Sequence, residues 1–243
     1  MQKEIQRWYS MWFDTPYYHI LYKDRDEEEA QVFIDNLTEY LNLPGQEKVL
    51  DLACGKGRHA IYLNTLGYDV TGVDLSKNSI HKAQAHENET LHFKVHDMRE
   101  PFDKKYDAIL NLFTSFGYFE NAEDHLSTLK VIKEGLTDYG FAVIDFMNVS
   151  YILNHLVKEE IKMAEGIDFH IKRWVENGYI FKDITFTDQG NAYHFTERVR
   201  ALTLEDFELL MKQAGLYLLD IFGDYKLRKF HKTESHRLIM VFK

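Results

Sequence analysis

Three aspartates of this chain lie in or after apolar runs, and each could pair with a positive group or accept hydrogen bonds. Asp51 lies in the run 49–53, while Asp74 and Asp97 end two later runs. Such runs predict buried strands. The carboxyl ends of parallel strands share one edge of a sheet, where open α/β sheets bind ligands. We therefore expect the three carboxylates to face one ligand.

A turn with two glycines follows the first predicted strand. The segment Cys54-Gly55-Lys56-Gly57 allows positive φ angles or the close approach of a ligand. Apolar residues at helical spacing from Arg58 onward predict a helix after the turn. The pattern Gly55-x-Gly57-x-x-Ala60 also satisfies the dinucleotide fingerprint. An NAD(P)-dependent oxidoreductase is therefore one candidate function.

Asp51 discriminates between two kinds of ligand. In a dinucleotide site the pyrophosphate lies against the glycine turn and the helix N-terminus, where a carboxylate late on the first strand would repel it. The same carboxylate suits an ammonium group with a sulfonium nearby, as in S-adenosylmethionine (SAM). Asp74 would then accept hydrogen bonds from the ribose hydroxyls. These residues favour SAM, while a role of Asp51 as a cap of the turn stays open.

The remaining patterns predict the elements that position these acids. Strands and helices alternate up to residue 146, which is typical of a parallel sheet. Four strand-like segments follow, with an Asn177-Gly178 hairpin turn among them. We predict an α/β fold with a Rossmann-like, seven-stranded, doubly wound sheet and an inserted antiparallel β-sheet. The predicted units are an aromatic lid with a helix (1–45), a cofactor-binding domain (46–158 and 203–243) and the insertion (159–202).

Two segments carry a resemblance to a known family. VLDLACGKGRHA and VTGVDLS resemble motif I and the acidic motif of class I SAM-dependent methyltransferases, most closely the small-molecule N-methyltransferases of the glycine and aminosugar type. Ala53 replaces the first glycine of the common motif. The resemblance implies methyl transfer from SAM to a small-molecule acceptor, at nitrogen, with adenine bound by Asp97 and Met98. The cofactor-binding residues expected are Tyr22, Asp51, Ala53, Gly55, Gly57, Arg58, Asp74, Leu75, Asp97, Met98, Asn111 and Leu112.

The acceptor would lie between the loop after the fourth strand and the aromatic N-terminal segment. The resemblance implies that Ser115, Gly117 and Tyr118 border the acceptor, and that the N-terminal segment, including Tyr18, closes over it as a lid. A neutral amine needs no general base, whereas a hydroxyl acceptor would need one. His19 and Tyr118 are the candidate catalytic residues.

Three arginines of the predicted insertion offer further contacts to the acceptor. Arg198 and Arg200 lie on one face of a strand because alternate residues share a face. Together with Arg173 they could hold a carboxylate or phosphate of the acceptor. Ion pairs with neighbouring acids on an exposed sheet are the alternative. The apolar residues of the insertion could also form a homodimer contact.

The composition narrows the range of partners. The 243 residues carry a net charge of −10, which argues against nucleic acid as a substrate. The single cysteine, Cys54, excludes an internal disulfide and a thiolate zinc cluster, and we expect no metal. The chain has no apolar run of about 18 residues and no signal peptide, so we expect a cytoplasmic protein. A module that binds SAM without catalysis remains an alternative.

Overall fold

The computed structural model describes residues 12–23 and 27–243. The strands are β1 (Lys48–Leu52), β2 (Asp69–Asp74), β3 (Leu91–Val95), β4 (Tyr106–Asn111), β5 (Leu136–Met147), β6 (Glu159–Ala164), β7 (Ile167–Glu176), β8 (Tyr179–Asp188), β9 (Asn191–Arg200), β10 (Leu218–Phe222) and β11 (Arg237–Phe242). The α-helices are α1 (Pro16–Leu21), α2 (Glu27–Tyr40), α3 (Arg58–Thr65), α4 (Lys77–Ala83), α5 (Ala122–Gly135), α6 (Val149–Asn154) and α7 (Leu204–Ala214).

Seven strands form one sheet in the order β10-β11-β5-β4-β1-β2-β3. Strands β1 to β5 pair in parallel, and β10 and β11 form an antiparallel edge beside β5. The order reverses between β1 and β4, and such a switch point leaves a crevice beyond the carboxyl ends of the strands. The predicted fold class, a seven-stranded Rossmann-like sheet with an antiparallel insertion, is confirmed.

Strand β5 begins earlier than the sequence pattern predicts. It starts at Leu136, directly after α5, instead of at Gly140. Leu136 pairs with Tyr106, and the register then shifts between Tyr106 and Ala108. A Cβ atom on Gly140 would lie 2.9 Å from the carbonyl oxygen of Tyr106. Gly140 therefore lets the backbone of β5 approach the backbone of β4 closely. A glycine at this position suggests a strand boundary when the sequence is considered alone.

Two glycines lie against the ring of Phe93 on β3. Gly57 is the N-cap of α3 and has φ +84°. A Cβ atom on Gly57 would lie 2.6 Å from the Phe93 ring, as would one on Gly72 of β2. The start of α3 can therefore approach β2 and β3 closely only because both positions lack a side chain. This close packing brings the glycine turn to the carboxyl edge of the sheet.

The insertion is a second sheet of four antiparallel strands in the order β6-β7-β8-β9. Its apolar face is buried against the N-terminal segment of the same chain, here defined as residues 12–23. Their shared core contains Trp12, Leu21, Ala164, Ile167, Phe169, Ile171, Ile184 and Phe186. The insertion therefore buries its core without a second subunit, and a homodimer stays a prediction. The earlier part of the predicted lid, which includes Trp8 and Tyr9, lies outside the described residues.

Two further predictions concern absences. Within residues 12–23 and 27–243, no helix has both the length and the apolar character needed to cross a membrane. Across the same part of the chain, no cluster of three or more His, Cys, Asp or Glu side chains could hold a metal ion.

Candidate active site

One cavity of about 740 Å³ lies at the carboxyl ends of β1, β2 and β4, with the N-terminal segment along its rim. A volume of this size is typical of sites for small molecules and cofactors. Asp51, Asp74 and Asp97 all line the cavity. The other predicted site residues that line it are Tyr18, His19, Tyr22, Ala53, Gly55, Arg58, Leu75, Met98, Leu112, Ser115 and Tyr118.

Asp51 is buried beneath the glycine turn, with a side-chain oxygen that accepts a hydrogen bond from the backbone N–H of Ala60 at 3.1 Å. Burial raises the pKa of Asp51 to about 7, against the opposing effect of the Ala60 amide. Asp74 nearby raises this pKa further, and Arg58 lowers it. Asp51 thus binds the first turn of α3 and also presents a carboxyl group to the cavity.

Asp74 connects β2 to the glycine turn. Its Oδ2 atom accepts a hydrogen bond from the backbone N–H of Gly55 at 2.9 Å, and its Oδ1 atom accepts one from Ser76 at 2.8 Å. Burial raises the pKa of Asp74, while these two amides act in the opposite direction. Both carboxylate oxygens are therefore fixed in orientation, and each retains acceptor capacity for a ligand hydroxyl.

Asp97 is held in place by Arg99. The Nε atom of Arg99 donates to Oδ1 of Asp97 at 2.9 Å, and Nη1 of Arg99 donates to Asp124 on α5 at 3.1 Å. The guanidinium group also lies over the ring of Phe119, 5.6 Å from its centroid. Met98 follows directly and lines the cavity. This corner combines a carboxylate with apolar surfaces, which suits the edge and faces of an adenine ring.

The loop after β4 forms the opposite wall and contains an unusual backbone conformation. Phe113 and Thr114 have φ angles of +56° and +59°, although neither is a glycine. Residues held in this region cost on the order of 1–3 kcal/mol each and cluster at functional sites. The Phe113 ring stacks on His59 with centroids 4.9 Å apart, and Arg58 lies 4.9 Å from the ring centroid. Phe113, Thr114 and His59 line the cavity. The sequence analysis placed the loop after the fourth strand at the acceptor but gave no role to these three residues.

An ion pair between the buried Asp145 and the partly buried Arg237 supports this loop from behind. Oδ1 of Asp145 on β5 accepts a hydrogen bond from Nε of Arg237 on β11 at 2.7 Å. The other oxygen of Asp145 accepts the backbone N–H of Phe113 at 2.8 Å. The sequence analysis missed both charged residues. The available signal was the aspartate inside the apolar run 141–146, because a charge in a buried strand requires a partner.

The N-terminal segment lines one side of the cavity and is held there by aromatic and polar contacts. Phe13 packs against Tyr118 of the loop after β4, with ring centroids 5.4 Å apart. Tyr22 lines the cavity and donates its hydroxyl hydrogen to Glu197 on β9 at 2.8 Å. Lys182 on β8 donates to the Tyr22 hydroxyl, and Trp12 donates to Glu197 at 2.7 Å. The sequence analysis did not identify the contacts of Glu197 and Lys182 with this segment.

Three of the predicted site residues lie behind the cavity wall. Gly57 packs against Phe93, as described above. Asn111 is buried, and its amide nitrogen donates to the carbonyl oxygen of Leu52 at 2.9 Å. Gly117 accepts a backbone hydrogen bond from Arg200 at 2.8 Å. These residues shape the site, but they are not among the residues that line it.

The structure does not bring the three predicted arginines to the cavity. Arg173 pairs with Glu160 on the neighbouring strand. Arg198 pairs with Glu120 at 3.3 Å, and Arg200 donates to the carbonyl oxygen of Asn177 at 3.4 Å. The last two guanidinium groups also lie over the ring of Tyr179, each 4.9 Å from its centroid. The contacts of Arg173 and Arg198 correspond to the alternative interpretation, ion pairs at the surface of the insertion, whereas Arg200 contacts a backbone carbonyl.

Comparisons with known proteins agree with this architecture. A family model described as "Methyltransferase domain" matches residues 49–140. A putative methyltransferase of Bacillus subtilis is 26% identical over 222 residues, covering 82% of this chain and 86% of the relative. A glycine/sarcosine N-methyltransferase of Halorhodospira halochloris is 26% identical over 211 residues, covering 83% and 76%. The crystal structure of a SAM-dependent methyltransferase from Clostridium acetobutylicum superposes with a TM-score of 0.80 at 22% identity, covering 93% and 95% of the two chains.

The fold, the site and the domain match all agree with one class of protein. The region 49–140 contains the glycine turn and all three cavity-lining acids, Asp51, Asp74 and Asp97. The resemblance to class I SAM-dependent methyltransferases is confirmed, and SAM is confirmed as the cofactor of this class.

Proposed function

We propose that this protein transfers a methyl group from SAM to the nitrogen of a small-molecule amine. The observation that carries the proposal is that three acids and aromatic residues of the N-terminal segment line one cavity. The glycine/sarcosine relative supports nitrogen as the acceptor atom, since its name describes N-methylation of small amines.

Each acid has its own part of the cofactor in this proposal. Asp51 pairs with the ammonium group of the methionine portion, because a buried carboxylate is stabilised by a nearby positive charge. Asp74 accepts hydrogen bonds from the ribose hydroxyls through oxygens that the Gly55 and Ser76 amides orient. Asp97 and Met98 hold the adenine. The other cofactor contacts proposed are those of Tyr22, Ala53, Gly55, Arg58, Leu75 and Leu112, which line the same cavity.

The chemistry requires alignment more than acid–base catalysis. SAM supplies an activated methyl group on a sulfonium. The residues of this chain must hold a neutral amine in line with that methyl group and exclude water, and such positioning can lower a barrier by about 7–11 kcal/mol. Tyr18, His19, Ser115 and Tyr118 line the acceptor side in this proposal. His19, or Tyr118 in its phenolate form, would accept the proton that an ammonium acceptor must lose before its nitrogen can attack.

The lid and the insertion act as one unit in this proposal. The segment 12–23 covers the acceptor side, and the insertion holds that segment through the apolar core that they share. We accordingly propose that the chain is divided by function into a lid, a cofactor-binding domain and an insertion.

Calorimetric titration with S-adenosylhomocysteine (SAH), followed by a methyl-transfer assay, tests the proposal. We expect SAH to bind, and SAM to be converted to SAH in the presence of at least one member of a panel of small primary and secondary amines. The matched alcohols should give no turnover. Absence of SAH binding at millimolar concentration would contradict the cofactor site, and turnover with alcohols alone would contradict nitrogen as the acceptor.

A pair of aspartate variants locates the site. Asp74→Asn should weaken SAH binding by about tenfold or more, because each charge-assisted hydrogen bond contributes roughly 1.5–3 kcal/mol. Asp103→Asn is the matched control, since Asp103 lies outside the cavity in an exposed pair with Lys94. Equal affinities of the two variants would remove the ribose assignment.

A further inference from the structure

The loop after β4 adopts a conformation that its own sequence disfavours. Phe113 and Thr114 both have left-handed φ angles, and threonine is β-branched, which makes this conformation especially costly. Both residues line the cavity. Strained residues of this kind persist only where the surrounding structure holds them in place. The contacts that hold them therefore control the shape of one cavity wall.

Asp145 binds the backbone of both strained residues. Its Oδ2 atom accepts the N–H of Phe113 at 2.8 Å, and its own carbonyl oxygen accepts the N–H of Thr114 at 2.9 Å. The hydroxyl of Tyr225 lies 3.3 Å from the same Oδ2 atom. Asp145 is fully buried on β5. A single residue thus fixes two successive amides of the loop.

Arg237 completes the support. Its Nε atom donates to Oδ1 of Asp145 at 2.7 Å, and its Nη2 atom donates to the hydroxyl of Thr114 at 2.9 Å. Arg237 therefore contacts the strained loop directly and also holds the carboxylate that binds the loop amides. A planar guanidinium group can make these two contacts at once, whereas an ammonium group is a single point of charge.

Stability alone is a poor explanation for this pair. The cost of removing two charges from water commonly cancels the attraction between them, so a buried ion pair is weak evidence for stabilisation. Here the hydrogen bonds of the pair are directed to one short loop that faces the cavity. Arg237 begins β11, and its side chain thereby couples the C-terminal hairpin of β10 and β11 to the acceptor side of the site.

We propose that Asp145 and Arg237 are positioning residues that hold Phe113 and Thr114 in the conformation required by the acceptor. The assignment of the acceptor side rests on the proposed function. Without the pair, the loop relaxes toward ordinary backbone angles, and Phe113 leaves its stack with His59. The cofactor side, formed by Asp51, Asp74 and Asp97, keeps its geometry because it belongs to other strands.

Hydrogen exchange provides a test that needs no substrate. In Arg237→Met, amides of the peptide 112–116 should exchange at least about tenfold faster than in the wild type, because exchange reports local opening. Adding Thr114→Gly should slow this exchange again, since glycine adopts positive φ without a steric penalty. A pair that merely stabilised the fold would change exchange throughout the core, and glycine would not reverse the effect.

Methyl transfer gives the second readout. With the amine that the wild type turns over best, Arg237→Met should lower kcat/KM by at least about tenfold while the Kd of SAH changes less than about threefold. In the Thr114→Gly background, adding Arg237→Met should change kcat/KM little, so the double variant should keep most of the activity of Thr114→Gly alone. This is the behaviour expected of two coupled sites. Arg228→Met is the matched control, because it removes an arginine from an exposed ion pair with Asp224 in the connection between β10 and β11.

Three outcomes separate the alternatives. If Arg237→Met is folded and leaves both exchange at 112–116 and kcat/KM unchanged, the positioning role is wrong. If the wild type methylates no amine but the exchange pattern follows the expectation, the proposed function fails and the positioning of the loop stands. If Arg237→Met does not fold, Arg237→Lys keeps the charge beside Asp145 and loses the contact to Thr114, and unchanged exchange in that variant overturns the proposal.

Discussion

Asp51 shows how a residue can be unfavourable for the fold and still suit the ligand. The side chain is buried, and burial raises its pKa to about 7, although the Ala60 amide stabilises its charged form. An ammonium group beside Asp51 would remove much of this penalty, because an opposite charge favours the ionised carboxylate. Ligand binding and ionisation of Asp51 should therefore be coupled.

The coupling predicts how the affinity for SAH depends on pH. Below about pH 7 Asp51 must lose a proton before it can pair with the ligand, so the association constant should fall by about tenfold per pH unit and level off above pH 7. Calorimetry in two buffers of different ionisation enthalpy should count about one proton released near pH 6. Asp51→Asn should bind weakly with no such slope, and an unchanged slope in that variant would assign the proton to another group.

The same residue predicts a gain in stability upon mutation. Because the pKa of Asp51 is raised on folding, the native state binds more protons than the unfolded state between roughly pH 4 and 7, and stability falls as the pH rises through this window. Asn can still accept the Ala60 amide without a charge. Asp51→Asn should therefore raise the free energy of unfolding at about pH 8 by at least ~1 kcal/mol, with a ceiling near 4 kcal/mol. Urea titrations at pH 4 and 8 measure this, and an equal gain at both values would point to packing.

Packing between α3 and β3 determines the position of the glycine turn. Gly57 begins α3 with a positive φ angle, and the Phe93 ring of β3 occupies the space that a side chain would need. We expect Gly57→Ala to destabilise the protein by about 1–3 kcal/mol, from backbone strain and overpacking combined. Gly45→Ala separates the two causes in urea unfolding, since Gly45 also has a positive φ angle but nothing within 4 Å of an added Cβ.

A second substitution tests the ring contact itself. Phe93→Leu shortens the side chain beside Gly57, so it should recover part of the stability that Gly57→Ala loses. Gly57→Ala and Gly45→Ala could lower the free energy of unfolding equally, and Phe93→Leu could restore none of it. The Phe93 ring would then not be the reason why glycine is required at position 57.

The elements around the cofactor could be predicted because their signals are local. An apolar run before Gly55 and an acid at the end of β2 lie within short stretches of sequence, and the carboxyl ends of parallel strands then place Asp51, Asp74 and Asp97 together. The start of β5 was harder to predict from the sequence, because the close approach of Gly140 to Tyr106 is a tertiary contact.

The contacts that complete the molecule join distant parts of the chain and could not be predicted. Asp145 and Arg237 are 92 positions apart, and Trp12 and Glu197 are 185 apart. A single sequence contains no signal for which charged residue on one strand meets which partner elsewhere. The residue types in the insertion suggested an anion site, whereas in the structure Arg173 and Arg198 form ion pairs with acids of neighbouring elements.

We predict that closure of the N-terminal segment over the cofactor depends on one acidic side chain of the insertion, Glu197. Glu197 accepts hydrogen bonds from Trp12 and Tyr22, and both donors belong to the segment that covers the cavity. Glu197→Ala leaves both donors without this acceptor, at roughly 1–3 kcal/mol for each buried group left unsatisfied. The covering segment should then open more often, and the dissociation rate of SAH should rise by about tenfold or more while the association rate changes little. Stopped-flow tryptophan fluorescence measures both rates.

Glu159→Ala is the matched control, because it removes an exposed partner of Lys172 at the far edge of the same sheet, and it should leave both rates unchanged. Equal dissociation rates in the two variants would show that the insertion does not control closure.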